Sequence, residues 1–158
     1  NKIANSITLK KLQNKKLYSP EVAKLSSIIA KKPYVRKALK GFQINFIKKS
    51  KLVVVEGRDI GSKIMPNADL KLFFTCSTKE KAKRRLKEFK NLNKNISLKK
   101  VEKALIQRDK EDTKRKISPL IMTKNAVLVD TTKLTIKQME AKLTNLVKKS
   151  IKKKYGNL

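Results

Sequence analysis

The sequence predicts an α/β fold, a parallel sheet with flanking helices. Three short apolar runs, Leu52–Val55, Leu70–Thr75 and Ala126–Val129, read as strands buried on both faces. Segments with helical periodicity lie between and around them, and strands that alternate with helices build parallel sheets. A chain of 158 residues, 39% hydrophobic, is sized for one domain with a genuine core.

Residues 1–18 are rich in Lys and Asn with scattered apolars, and predict no element. Ser19-Pro20-Glu21 reads as a helix start, with Ser19 as cap, Pro20 in the first turn and an acid beside it. Val22, Leu25, Ile28 and Ile29 give that helix one apolar face. Pro33 breaks it and opens another, with Val35, Leu39, Phe42 and Phe46 on one side. The first strand ends in Glu56-Gly57-Arg58-Asp59-Ile60-Gly61, a glycine-punctuated loop, and Lys71 is the only charge in the second strand. Ser77 and Glu80 form a capping box for a helix carrying Arg84 and Arg85. Leu98, Val101, Leu105 and Ile106 mark a further helix running into residues 108–115. Thr135 to about Ser150 closes the chain as an amphipathic helix, with Ile136, Met139, Leu143, Leu146 and Val147 facing inward. No internal repeat and no linker divides these elements.

Composition excludes several chemistries. There is no His, so imidazole acid–base catalysis and His metal sites are absent. The single Cys76 rules out disulfide frameworks and Cys-rich zinc sites, and suits a reducing compartment. The apolar runs fall far short of the roughly 20 residues of a membrane span, and no signal peptide opens the chain. A soluble cytoplasmic domain is expected. Lys and Arg total 42 against 12 Asp and Glu, a net charge of +30. That charge fits either a drift of composition towards Lys or a nucleic-acid patch. With 5% aromatics and no Trp, base stacking has little to work with. The lysine tract 148–154 is a solvated helix end, where cations suit the dipole. Only six of the 42 cations are arginine (Arg36, Arg58, Arg84, Arg85, Arg108, Arg115), leaving 36 lysines. Where lysine is the default cation, a retained arginine marks a need for a planar fork on phosphate or carboxylate.

Ligands of open α/β sheets bind beyond the carboxyl ends of the strands, where Glu56-Gly57-Arg58-Asp59 falls. Gly57 permits a tight turn, Arg58 can fork onto a phosphate and Asp59 can accept from an amino group; a structural Arg–Asp loop pair would look the same. In a helix, Arg108, Asp112 and Arg115 stand at i, i+4 and i+7 on one face. Two guanidiniums flanking a carboxylate suit a phosphate with a neighbouring ribose hydroxyl, and equally a surface ion pair. Arg84-Arg85 reads as a mobile phosphate clamp or as two solvated cations.

Together these pieces resemble the bacterial cytidylate kinases. The resemblance is carried by Ser19-Pro20-Glu21-Val22, Ser27, Pro33-Tyr34-Val35-Arg36, Glu56-Gly57-Arg58-Asp59-Ile60-Gly61 and Pro66-Asn67-Ala68-Asp69-Leu70-Lys71. It continues through Ala82-Lys83-Arg84-Arg85, Arg108-Asp109-Lys110-Glu111-Asp112, Arg115, Ser118-Pro119-Leu120 and Ala126 to Asp130 with Thr131-Thr132. In order and spacing it spans residues 17 to 147. It implies a P-loop NTPase-like parallel sheet with flanking helices, a nucleoside-monophosphate-binding insertion in residues 1–50, a kinase core in 51–158 and a short lid around 77–115.

The resemblance also implies an activity, transfer of the γ-phosphoryl group of ATP to CMP or dCMP, with Mg²⁺ carried by the nucleotide. Ser27, Arg36 and Asp59 would contact cytosine, Arg58 and Arg108 the acceptor phosphate, and Asp112 the ribose hydroxyls. Arg84, Arg85 and Arg115, with Arg58, would stabilise charge on the transferred group. Phosphoryl transfer needs little beyond positioning and cations, so the lack of His is no obstacle. Expected partners are ATP and CMP or dCMP, with no membrane, no specific nucleic acid and a monomeric state. The family's phosphate-cradling loop is missing: glycines stand only at 41, 57, 61 and 156, and no pair has the spacing of G-x-x-x-x-G-K-[ST]. Its Tyr-Arg pair near the acceptor phosphate is missing too. The chain, which begins with Asn, is therefore expected to be the C-terminal two-thirds or so of such a kinase, inactive alone for want of the ATP cradle. The alternatives are a nonenzymatic CMP-binding remnant and a basic nucleic-acid-binding protein.

Overall fold

The computed structural model describes residues 6–91 and 95–156. Its elements are α1 (Leu9–Leu12), a 3-10 turn (Lys15–Tyr18), α2 (Pro20–Ile29), α3 (Pro33–Lys48), a π-helical turn (Ile60–Ile64), β1 (Leu72–Thr75), α4 (Thr78–Asn91), α5 (Leu98–Lys114), β2 (Val127–Asp130) and α6 (Ile136–Tyr155). Local chemistry sets most helix boundaries. The Ser19 hydroxyl accepts from the Val22 amide at 3.2 Å, Ser77 from Glu80 at 3.3 Å, and Ser97 from Lys100 at 3.4 Å. Thr135 and Gln138 close a reciprocal capping box on α6, which ends before Gly156 at φ 81°.

β1 and β2 pair in parallel, Leu72 opposite Val127 through Thr75 opposite Asp130, with α4 and α5 as the crossover. The result is a mixed helix–strand architecture around a small parallel sheet, compatible with a kinase-like α/β fold. The buried apolar cluster lies between the crossover helices, where Ala82 and Phe89 of α4 meet Val101 of α5, flanked by Leu86, Ile96, Leu98 and Leu105. Val129 is the one fully buried large side chain in the sheet among the described residues.

The strand expected over Leu52–Val55 does not form: Leu52 is 93% and Val54 100% exposed. A strand needs a neighbour to satisfy its amides and carbonyls, and neither β1 nor β2 reaches this run. An apolar sequence supplies the wish for burial and not the ladder partner. The second strand likewise begins at Leu72 rather than Leu70, although the Lys71 carbonyl still accepts from the Val127 amide at 2.9 Å. The apolar faces of the helices form where expected but are incompletely covered. Leu25, Ile28 and Ile29 of α2 and Phe46 of α3 are exposed, as are Ile136 and Val147 of α6, while Met139, Leu143 and Leu146 are half-buried.

Candidate functional site

The loop after residue 55 brings its charged residues against α3 and α5. Arg36, in the first turn of α3, donates from one guanidinium nitrogen to the Ala30 carbonyl at the end of α2, at 3.1 Å. A second nitrogen pairs with Asp59, and both side chains are largely buried. This satisfies a helix-end carbonyl and fixes the plane of the fork. Gly57 lies against Ile60; a Cβ there would meet the Ile60 side chain at 2.8 Å, so the turn favours glycine.

A second cluster forms around Asp112, near the end of α5 and only 4% exposed. One of its oxygens accepts from Arg58 Nε at 2.8 Å, and the other from Arg115 at 3.3 Å. Arg108 Nε stands 3.9 Å from the first oxygen and is buried with no hydrogen-bond partner. Burial pushes the Arg115 guanidinium below its ordinary pKa against the pull of Asp112, with Arg36 and Arg58 adding repulsion and Asp59 attraction. The two clusters therefore share one electrostatic neighbourhood, in which four guanidiniums face two carboxylates.

The helical face expected for Arg108, Asp112 and Arg115 is built differently at its end. α5 stops at Lys114, and Arg115 is its extended C-cap at ψ 140°. Arg115 nevertheless reaches Asp112 because the chain turns back: its Nε donates to the Ser118 carbonyl at 2.5 Å, and the Leu120 amide donates to the Asp112 carbonyl at 2.7 Å. Ser118 takes φ 53°, a left-handed conformation unusual for a residue other than glycine. Nothing in the local pattern of Ser118-Pro119-Leu120 announces this support for Arg115.

Arg84 and Arg85 go elsewhere. Arg84 forks onto Thr131, to the hydroxyl at 3.2 Å and the carbonyl at 2.8 Å, and so is anchored at the carboxyl end of β2. Thr131 is itself buried and donates to the Thr75 carbonyl at 3.1 Å, tying both strand ends to α4. Arg85 lies along α4, paired with Glu88 at 2.5 Å and stacked over Phe89 at 4.7 Å. Among the described residues no ion pair or hydrogen bond joins either arginine to the Asp112 cluster. Ser27 is half-buried on α2, with no described hydrogen bond to that cluster. The sequence reading also missed a bridge between Lys31, just beyond α2, and Glu111 of α5 at 2.8 Å. Its partners are 80 residues apart, so no local spacing signals it.

Chemically, the site offers a free guanidinium donor, two further guanidiniums held at a shared carboxylate, and a neighbouring Arg–Asp pair. Such a set suits an anion joined to a polar ring. No described helix is long and apolar enough to cross a membrane. Residues 3–149 match the family model described as cytidylate kinase. The chain is similar to the cytidylate kinase of Thermotoga neapolitana, 40% identical over 137 residues, which covers 87% of the chain and 62% of that relative. That of Carboxydothermus hydrogenoformans is 40% identical over 129 residues, covering 82% and 58%. That of Rickettsia africae is 35% identical over 149 residues, covering 94% and 68%. The chain thus spans about three fifths of the length of the first two relatives.

Proposed function

The chain belongs to the cytidylate kinase family, and from that premise we propose that it carries the acceptor half of a kinase moving the ATP γ-phosphoryl group to CMP or dCMP. The observation that carries this reading is the buried, unpartnered Arg108 Nε beside the Arg58–Asp112–Arg115 group. A free guanidinium donor next to two others is a receptor for the acceptor phosphate. Arg58 and Arg108 hold that phosphate, Arg115 adds positive charge towards the transferred group, and Asp112 accepts from the ribose hydroxyls. Arg36 donates to the cytosine ring acceptors, while Asp59 and Ser27 take its exocyclic amino group. UMP would turn a carbonyl towards the Asp59 carboxylate, leaving both unpaired and repelling, which rejects it. Arg84 and Arg85 act with the crossover helices that form the lid.

The sequence contains no G-x-x-x-x-G-K-[ST] cradle for ATP. On this reading these 158 residues bind the acceptor and do not by themselves transfer phosphate. Mg²⁺ comes with ATP and neutralises its phosphates. The protein works in the cytoplasm as a monomer.

Calorimetric titration of the chain with CMP and UMP tests the acceptor site. CMP is expected to bind at least about tenfold more tightly than UMP, a preference that Asp59→Asn largely removes. Equal binding of the two nucleotides, or binding indifferent to Arg58→Ala and Arg108→Ala, overturns the acceptor assignment. CMP turnover by the purified chain, abolished by Arg58→Ala, overturns the claim that it is inactive alone.

A further inference from the structure

We propose that the pocket between the ends of α2 and α5 binds a compact polyphosphate anion at a site separate from the Asp112 cluster. The pocket has a volume of about 540 Å³, and its lining includes Lys31, Lys110, Glu111, Lys114, Lys116 and Ile117. That volume lies within the ordinary range of small-ligand sites.

Three separate segments supply its cations. Lys31 follows α2, Lys110 and Lys114 stand one turn apart on α5, and Lys116 lies in the loop beyond. Cations in the last turn of a helix answer its dipole, which accounts for Lys114. It does not account for Lys31 and Lys116, which come from outside the helix. Arg115 also borders the pocket, but its guanidinium is committed to Asp112 and Ser118. Among the described residues Glu111 is the only carboxylate in the lining, so lysine charge exceeds it. Its oxygen sits 2.8 Å from Lys31 Nζ, an ion pair that an incoming anion must displace. The hydrogen bond from Lys31, more than that from Gln107, holds the Glu111 carboxyl below its ordinary pKa. Several lysines, each a point charge with rotatable donors, suit a chain of phosphate oxygens better than one planar carboxylate. Positions 107, 110, 111 and 114 form one stripe of α5 and 108 and 112 the next, so the two sites lie on adjoining flanks of one helix.

The test is calorimetric titration with inorganic tripolyphosphate at low salt, each variant first checked for helix content by circular dichroism. Lys110→Ala/Lys114→Ala is expected to weaken binding about tenfold, the yield of two screened charge contacts. Glu111→Gln removes the competing carboxylate and is expected to tighten binding about threefold. Lys148→Ala/Lys149→Ala, on α6, is expected to leave binding within about twofold. Equal losses at the α5 and α6 lysine pairs would mean that overall charge binds the anion, and would overturn the site. So would a loss confined to Arg58→Ala/Arg108→Ala, which would put the anion in the acceptor cluster, and so would absence of binding. Because the readout is binding at different residues, its failure and that of the acceptor assignment are separable.

Discussion

Asp112→Asn keeps the shape of the side chain and removes its charge, leaving three guanidiniums around a neutral amide. The residue is 4% exposed, with Arg58 at 2.8 Å, Arg115 at 3.3 Å and Arg108 at 3.9 Å. Losing one partner of a buried ion pair costs about 3–5 kcal/mol. Only the pair with Arg115, whose side chain is 8% exposed, qualifies, because Arg58 and Arg108 keep 43% and 40% of their side chains in solvent. Exposed pairs are worth about 0–1 kcal/mol each after screening. The total is about 3–4 kcal/mol, taken at the lower end because Arg115 keeps its hydrogen bond to the Ser118 carbonyl and the asparagine amide oxygen can still accept from it. At about 2–4 °C per kcal/mol for a chain of this size, Tm falls by about 6–16 °C. Thermal melts followed at 222 nm measure it. Asp109→Asn serves as comparison, since Asp109 pairs with Lys81 at 2.7 Å but is 37% exposed, and should lose under about 1 kcal/mol. Equal shifts for the two variants would refute the claim that burial of Asp112 makes its ion pairs matter.

Val129→Ala, at the fully buried position of β2, should cost about 2 kcal/mol, whereas Val54→Ala in the same 158 residues should stay within about 0.5 kcal/mol; urea unfolding midpoints separate them, and a costly Val54→Ala would mean that residues 52–55 are buried after all. Ser118→Gly should relieve the left-handed backbone and stabilise the chain by about 0.5–1 kcal/mol, and a loss in the same unfolding assay would contradict the strain. Asp130 accepts from the Thr132 hydroxyl at 2.6 Å and the Thr132 amide at 2.8 Å, which hold its carboxyl below the ordinary value. With the folded pKa lower than the unfolded one of about 3.9, its stabilisation is complete above that value and is lost as pH falls through the folded pKa. Thr132→Val should therefore flatten the acid limb of a Tm–pH profile, and an unchanged limb would exclude the hydroxyl as its cause.

What the sequence determined by itself was local. Caps at Ser19 and Ser77, Pro33 at its helix start and the 3.6-residue spacing of Leu98, Val101 and Leu105 act over a turn or two, so their partners are visible in the same stretch of chain. The arginine bias of a lysine-rich chain likewise marked all six arginines, Arg84 and Arg85 as well as Arg36, Arg58, Arg108 and Arg115, because only a guanidinium makes a fixed fork. The tertiary structure decided everything that depends on a distant partner. Leu52–Val55 is as apolar as a strand and is none, because strand formation depends on an edge supplied from elsewhere. The same rule drew Arg84 to Thr131 and Arg85 to Glu88, though the two are consecutive in sequence. Arg58 meets Asp112 across 54 positions and Lys31 meets Glu111 across 80. A charge's neighbours are set by where chain reversals such as that at Ser118 deliver them, and the residues that make those reversals carry no periodic signal.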